Sequence, residues 1–346
     1  MKLLSKSIKA ILSVGLLGLA INAQAETEIM VAYGNQPGEP IDKAMHFWAD
    51  KVKEKSNGDI VFKLFPSSQL GSETEVLEQA KFGANIITIS DYGALMDIVP
   101  DLGVINAPYI SQSFEKKSKL LHSDWFKDLS DKLDQHDIHI IVPDVIYGTR
   151  HLLTKKPVTK PSDLKGMKVR VQHSRLFLQT INAMGGVPTP MSLSDVYPGL
   201  SEGIIDGLEN PTVVLFGGKF FEVAKNLNLT AHTKHMSPFV AGTAFWNNLT
   251  PEQQKIIVDA SREMVTYGGG LIEQAENEAL ENLKKAGVTV NDVDLPAFEA
   301  SVADVISTGF PEWSPNLYKN VQEKLSQFAE NLYFQGHHHH HHHHHH

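Results

Sequence analysis

Two arginines and a short set of polar residues are the side chains of this sequence best suited to hold a small organic anion. Arg170 lies in the segment Met167-Lys168-Val169-Arg170-Val171-Gln172, where strand alternation points Val169 and Val171 one way and Lys168, Arg170 and Gln172 the other. A guanidinium offers two parallel donors that match a carboxylate, and it stays charged at any physiological pH. The same residue could instead make a surface ion pair of little energetic weight. Arg150 follows an apolar strand, His139 to Val142, in the loop Tyr147-Gly148-Thr149-Arg150; it is either solvated or a second clamp on the same anion. Asn210, expected just after a strand in Leu208-Glu209-Asn210-Pro211, can donate to one ligand oxygen and accept from a hydroxyl, or can begin an Asx turn. Glu73 and Asp91 stand at the start of a helix and the end of a strand, where each could accept from ligand hydroxyls or cap a helix.

Other chemistries find less support. His136 and His139, or His232 and His235, might suggest a metal pair, but neither has a third ligand at a usual spacing. There is no HExxH motif, no GxSxG elbow and no GxxxxGKS loop. Cysteine is absent, which removes disulfides and thiolate metal sites. No metal, cofactor or catalytic residue is expected.

Those candidates need rigid elements, and the sequence supplies a repeating grammar for them. Glu28 to Tyr33 is a strand; Ile41, Ala44, Met45, Trp48, Ala49 and Val52 then fall on one face of a helix that stops near Asn57-Gly58. Ile60 to Phe65 is a second strand, Ser72 with Glu75 fits a capping box for a helix to about Phe82, and Ile86 to Ile89 is a third strand. A second unit starts after Pro157. It has a turn at Ser162 to Gly166, a strand Met167 to Val171, helices around Leu176 to Ala183 and Ser194 to Glu202, and a short strand Ile204 to Leu208. Thr250-Pro251 begins another helix, and a long amphipathic pattern runs from about Arg262 to Ala286, interrupted by Gly268-Gly269-Gly270, which inside a helical pattern permits close packing or a bend. The expectation is an α/β fold of two lobes, each a mostly parallel sheet flanked by helices, with no low-complexity linker between them. Ligands of such folds bind in clefts at the carboxyl ends of parallel strands.

The ends of the chain set its compartment. Lys2, Lys6 and Lys9, an apolar stretch from Ala10 to Ile21 and Ala23-Gln24-Ala25 form a secretory signal pattern cleaved after Ala25, which predicts a periplasmic protein that is not membrane-embedded. Glu330 to Gly336 followed by ten histidines is a protease site and purification tag, so ten of the 18 histidines carry no functional meaning. Removing Lys2, Lys6, Lys9 and Glu330 from 31 basic and 40 acidic residues leaves a charge near −11, a surface ill-suited to nucleic acid or anionic lipid. An anionic ligand must therefore be held by a local cationic site that works against the global field.

Taken together, the segments Phe65 to Gly71, Tyr147 to Arg150, Asp163 to Val171, Pro188 to Met191, Asp195 to Tyr197 and Asp206 to Pro211 resemble the substrate-binding proteins of tripartite ATP-independent periplasmic (TRAP) transporters. The resemblance covers nearly the whole mature chain. It implies two lobes joined by a hinge with a long helix spanning both: 26–148 mainly the first lobe, 149–238 mainly the second, and 239–328 returning across both. It also implies that Arg170 pairs bidentately with a ligand carboxylate, that Arg150 and Asn210 assist, and that Glu73 and Asp91 line the cleft. Gln172, Asn35, Gln36, Tyr147 and His235 complete the expected ligand-binding set. Leu193 stands where sialic-acid binders carry an aromatic residue and Ala94 where they carry an arginine, which argues against sialic acid.

Carboxylates beside the cleft would repel a second ligand charge, so the expectation is a monocarboxylate sugar acid, a hexonate such as gulonate or a uronate, delivered to a TRAP membrane permease by a monomeric, non-enzymatic protein. A keto sugar acid such as diketogulonate or a C4-dicarboxylate is the alternative within the family. A secreted sugar-acid-processing enzyme using Glu73 and Asp91 as an acid/base pair is the alternative of another class. Membership of an ATP-driven transporter or a sensor is a third.

Overall fold

The computed structural model describes residues 26–329; the expected signal segment and the tag lie outside them. The chain is α/β and divides into two compact units, one of residues 26–88 and 241–266, the other of 89–240 and 267–329.

In the first unit, β1 (Thr27–Ala32) pairs in parallel with β2 (Ile60–Phe65) and β3 (Ile86–Ile89), with α1 (Pro40–Lys55) and α2 (Glu73–Lys81) as the crossovers. The helical periodicity of α1 is real packing: Ile41, Ala44, Met45, Trp48 and Val52 are all buried. Trp48 meets the edge of Phe62, with centroids 5.1 Å apart, and its Nε1 donates to the Ile257 carbonyl at 3.1 Å. A left-handed turn at Asn57 and Gly58 ends the helix where expected. The capping box at the start of α2 forms as predicted, with Ser72 accepting from Glu75 N and the Glu75 carboxylate accepting from Ser72 N. Chain segment 241–266 contributes α9 (Thr243–Asn248) and the first part of α10 (Pro251–Lys285).

The second unit opens with α3 (Tyr92–Leu95), α4 (Phe114–Leu120) and α5 (Asp124–Asp134). Its sheet has the order β8-β4-β7-β5-β6, with β9 (Thr289–Asn291) beside β8. The strands are β4 (Ile138–Thr154), β5 (Lys168–Val171), β6 (Val187–Pro190), β7 (Gly207–Pro211) and β8 (Asn226–Gly242). β5 is parallel to β6 and β7, while β4 runs antiparallel to β7. Adjacent residues of β4 feed opposite faces, as the pleat requires. Leu152 joins Val169, Val171 and residues of α6 (Arg175–Met184), α11 (Leu295–Thr308) and α12 (Leu317–Gln327) in one core. Leu153 joins Leu208 and residues of α7 (Val196–Ser201) and α8 (Thr212–Gly217) in the other.

Four details differ from the expected layout. Residues 89–148, expected mainly in the first lobe, belong to the second unit, because Asp91, Asn106, Tyr109 and Lys117 hydrogen-bond or ion-pair with residues 230–236 of β8. β4 runs unbroken for 17 residues, so Arg150 sits in a central strand and not in a loop; Gly148, at φ +144°, bends the strand without ending it. β7 begins three residues later than predicted, since Ile204 is exposed and Gly207 is the first residue to pair with β4. Asn210 therefore lies within a strand and begins no Asx turn. Finally, the two predicted helices after Thr250 are one helix of 35 residues that runs straight through Gly268-Gly269-Gly270. A Cβ on Gly269 would lie 3.3 Å from Ile146 Cδ1, so the small residue admits close packing there.

Gly242 offers a direct test of packing in the first unit, because a Cβ there would come 1.9 Å from the Ala80 carbonyl oxygen. Gly242→Ala must push the end of α2 aside. We expect a loss of about 1–3 kcal/mol in denaturant unfolding, and unchanged stability would show that this contact is looser than described.

Candidate functional site

The second unit holds a buried polar network of a kind that folding stability alone does not call for. At its centre Arg150, 1% exposed, is gripped by Glu209, which is fully buried. Arg150 Nε donates to Glu209 Oε2 and Nη2 to Glu209 Oε1, both at 2.7 Å, and Nη2 also reaches the Glu209 carbonyl at 3.2 Å. Burial by itself would raise the Glu209 pKa, but the Arg150 charge and hydrogen bonds from His232 and Arg150 outweigh it and bring it down to about 2. Register explains the meeting: Leu152 of β4 faces Glu209 of β7, and Arg150 is two residues along the same face. His232 of β8 completes the clasp, with Nε2 2.8 Å from Glu209 Oε2 and Nδ1 2.8 Å from the Thr230 hydroxyl.

The remaining Arg150 nitrogen fixes His235. Nη1 donates to His235 Nδ1 at 2.9 Å, so the imidazole proton must sit on Nε2. Burial depresses the His235 pKa, which keeps the ring neutral, and Nε2 lies 3.4 Å from Asp91 Oδ1 in ion-pair range but without hydrogen-bond alignment. Tyr147 and Phe177 pack on the same ring with centroids at 4.8 and 5.8 Å, and Phe177 also lies under the Arg150 guanidinium at 4.7 Å. Most of the Arg150 donor fork is thus spent within the protein.

Arg170 is in the opposite situation. It is 4% exposed, its Nε donates to the Met191 carbonyl at 2.9 Å, and among the described residues no carboxylate is within ion-pair range of it. Burial lowers its pKa to about 10, with Glu209 pulling the other way and Arg150 adding to the depression. This is a buried cation whose two terminal nitrogens have no hydrogen-bond acceptor among the described residues. Asn210, also buried, makes no side-chain hydrogen bond to a described residue. Both sit near the carboxyl ends of neighbouring parallel strands, β5 and β7.

Asp91 does cap α3, accepting from Gly93 N at 3.2 Å, but it also accepts from Asn106 Nδ2 at 3.3 Å and from Gln172 Nε2 at 2.6 Å. Although burial works against the charged form, His235, Gly93 and Arg150 together hold its carboxyl below the usual range. Asn106 is in turn set by Lys117, a fully buried lysine that donates to Asn106 Oδ1 and to the Lys234 carbonyl; burial brings its pKa down to about 7. Lys234 Nζ donates to the Thr149 hydroxyl at 2.9 Å, and Thr149 N donates to Glu276 of α10 at 2.7 Å. Burial lifts the Glu276 carboxyl to about 7.

Asn106, Lys117, Lys234 and Glu276 escape sequence reasoning because nothing local marks them as buried, and His232 stood out there only as half of a candidate metal pair. Glu209 lay inside a quoted motif, and its burial follows once β7 is placed centrally. In the first unit, Glu73 is exposed at the first turn of α2, Asn35 is half-buried, and the Gln36 amide oxygen accepts from the Ser67 hydroxyl at 2.9 Å. Among the described residues there is no group of acidic, histidine or cysteine side chains that could hold a metal, and no helix long and apolar enough to cross a membrane.

The resemblance implied an α/β fold with a long helix, and comparison with known proteins supports the family and the fold. Residues 31–311 match the family model DctP, described as bacterial extracellular solute-binding protein, family 7. The chain belongs to that family, the substrate-binding proteins of TRAP transporters. A TRAP periplasmic solute-binding protein from Ochrobacterium anthropi with bound L-fuconate is 43% identical, with a TM-score of 0.83 over 87% of this chain and 100% of that one. One from Pseudomonas putida F1 with bound D-glucuronate is 34% identical, TM-score 0.80, over 89% and 100%. One from Fusobacterium nucleatum with bound sn-glycerol-3-phosphate is 33% identical, TM-score 0.81, over 87% and 97%.

The Arg150–Glu209 pair yields a prediction with a definite sign. The Glu209 pKa is depressed from 4.5 to about 2, so its stabilisation is complete above pH 4.5 and is lost as pH falls through about 2. Glu209→Gln leaves Arg150 buried without its counter-charge and should cost about 3–5 kcal/mol at pH 7. It should also flatten the acid limb of the stability curve. Equal unfolding free energies for variant and wild type at pH 7 would contradict the assignment.

Proposed function

We propose that this protein captures a monocarboxylate sugar acid, a hexonate or a uronate, and hands it unchanged to a TRAP membrane permease after export to the periplasm. The observation that carries the reading is Arg170: desolvated, still cationic at neutral pH and unmatched by any carboxylate within ion-pair range among the described residues. A ligand carboxylate supplies what the fold withholds, two parallel acceptors and one negative charge. Asn210 stands beside it on β7 as a second donor, and Arg150, clasped by Glu209, keeps at most one Nη1 hydrogen for the ligand.

Charge counting supports a monoanion. Arg150 and Glu209 cancel, His235 is neutral and Asp91 is ionised; Lys117 and Lys234 are spent on Asn106, the Lys234 carbonyl and Thr149, so Arg170 is the cation of this cluster whose terminal nitrogens have no acceptor among the described residues. A phosphate dianion or second carboxylate would bring a second negative charge with no second unspent arginine among the described residues and with Asp91 already ionised. L-fuconate and D-glucuronate, bound by two of the similar proteins, are monocarboxylates of this type. The enzyme alternative draws no support from Asp91: held ionised, it has no proton to give as an acid, and three protein donors already occupy the oxygens that a base would use.

Thermal unfolding against L-gulonate, L-fuconate, D-glucuronate, diketogulonate, succinate and sn-glycerol-3-phosphate tests the proposal. A ligand at about 100 times its dissociation constant stabilises by about 2.7 kcal/mol. We expect a shift with a hexonate or uronate and none in Arg170→Ala. Shifts confined to succinate or glycerol phosphate, or a full shift in Arg170→Ala, would overturn it.

A further inference from the structure

Asp91 and Gln172 carry an inference that rests on the sugar-acid reading and sharpens it. Asp91 is 6% exposed, and its carboxylate is occupied from within the protein: Oδ1 by Gly93 N and Asn106 Nδ2, Oδ2 by Gln172 Nε2 at 2.6 Å. An ionised carboxylate can only accept, so it dictates which end of the Gln172 amide faces it. The NH₂ group must point at Asp91, and the amide oxygen must point away. That oxygen has no hydrogen-bond donor among the described residues, and Gln172 is half-buried just past the end of β5, two residues beyond Arg170.

We propose that Gln172 Oε1 accepts a hydrogen bond from one ligand hydroxyl, and that Asp91 is a positioning residue that acts through Gln172 and makes no ligand contact of its own. Two extended residues span about 6.6 Å, so the hydroxyl selected lies several bonds along the carbon chain from the carboxylate held by Arg170. The geometry rewards a polyhydroxy acid at a defined carbon. A short dicarboxylate has no donor to place there, because an ionised carboxylate would meet the amide oxygen as acceptor against acceptor.

Titration calorimetry of L-gulonate and D-glucuronate, each with its monodeoxy analogues, reads this directly. For the wild type, one deoxy position should cost about tenfold in affinity, the worth of one hydrogen bond to a neutral acceptor. Gln172→Leu should lose a similar factor with the parent acid and lose nothing further at that same position. Gln172→Glu adds a readout that a merely structural role would not move. Beside Asp91 the new carboxyl shares one proton, donates it to Asp91 and keeps its other oxygen as an acceptor. Its affinity should stay within a few-fold of wild type at about pH 5 and fall as pH rises and that proton leaves, whereas the wild type should change little. A Gln172→Leu penalty spread equally over parent and every deoxy analogue would overturn the inference while leaving the sugar-acid reading intact. Retained binding of both acids by Arg170→Ala would instead overturn the reading itself.

Discussion

A guanidinium stripped of most of its water, with no carboxylate of the described residues in ion-pair range, is the constraint on which the functional account depends. Burial disfavours the charged form of Arg170 and brings its pKa to about 10, yet at neutral pH the residue remains a cation. Leaving a charge so exposed to its own desolvation cost lowers the stability of the unliganded protein, and that cost is recovered when an anion arrives. The contrast with Arg150, twenty residues earlier, is instructive. Both are buried, but Arg150 has an internal carboxylate, a histidine and an aromatic face to satisfy it. One arginine is satisfied within the fold; the other is the one we propose meets the ligand.

The surrounding network serves rigidity. His232, Glu209, Arg150 and His235 form a continuous chain of polar contacts across β8, β7 and β4, and Lys117, Asn106, Asp91 and Gln172 form a second. Each member is held by at least one partner, so the few polar atoms without a protein partner keep fixed directions. Preorganisation of this kind reduces the ordering cost of binding. It also separates two jobs that a list of polar residues merges: Asp91 and Glu209 orient other groups, while Arg170, Asn210 and Gln172 keep polar atoms without a partner among the described residues.

Much of the fold was legible because local and tertiary preferences agree. The α1 stripe, the Ser72 capping box and strand Ile60–Phe65 each follow from residues close in sequence, and the structure reproduces them. Legibility failed where packing overrides a local break. Gly148 read as a loop, yet β4 continues through it between two sheet neighbours, and the helices starting at Pro251 and near Arg262 read as two where one runs through; the glycines 268–270, a place for close packing or a bend inside a helical pattern, do lie within it. Glycine costs a helix about 1 kcal/mol per residue, a penalty that tertiary contact along a 35-residue element outweighs. For the site, the types and strand position of Arg170 and Gln172 pointed to a shared function. The Arg150–Glu209, Arg150–His235 and Asp91–Gln172 contacts join residues 59, 85 and 81 apart in the chain, which spacing alone does not encode.

The central claim is that one ligand charge completes the cation left by the fold. Titration calorimetry should compare L-gulonate and D-glucuronate with uncharged counterparts of the same carbon skeleton, the alditol and the methyl ester. Loss of a charge-assisted, two-point contact should weaken binding by at least about tenfold to a hundredfold. Equal affinity for the charged and uncharged members of either pair would mean that Arg170 does not hold the carboxylate, and the account would fail at its foundation.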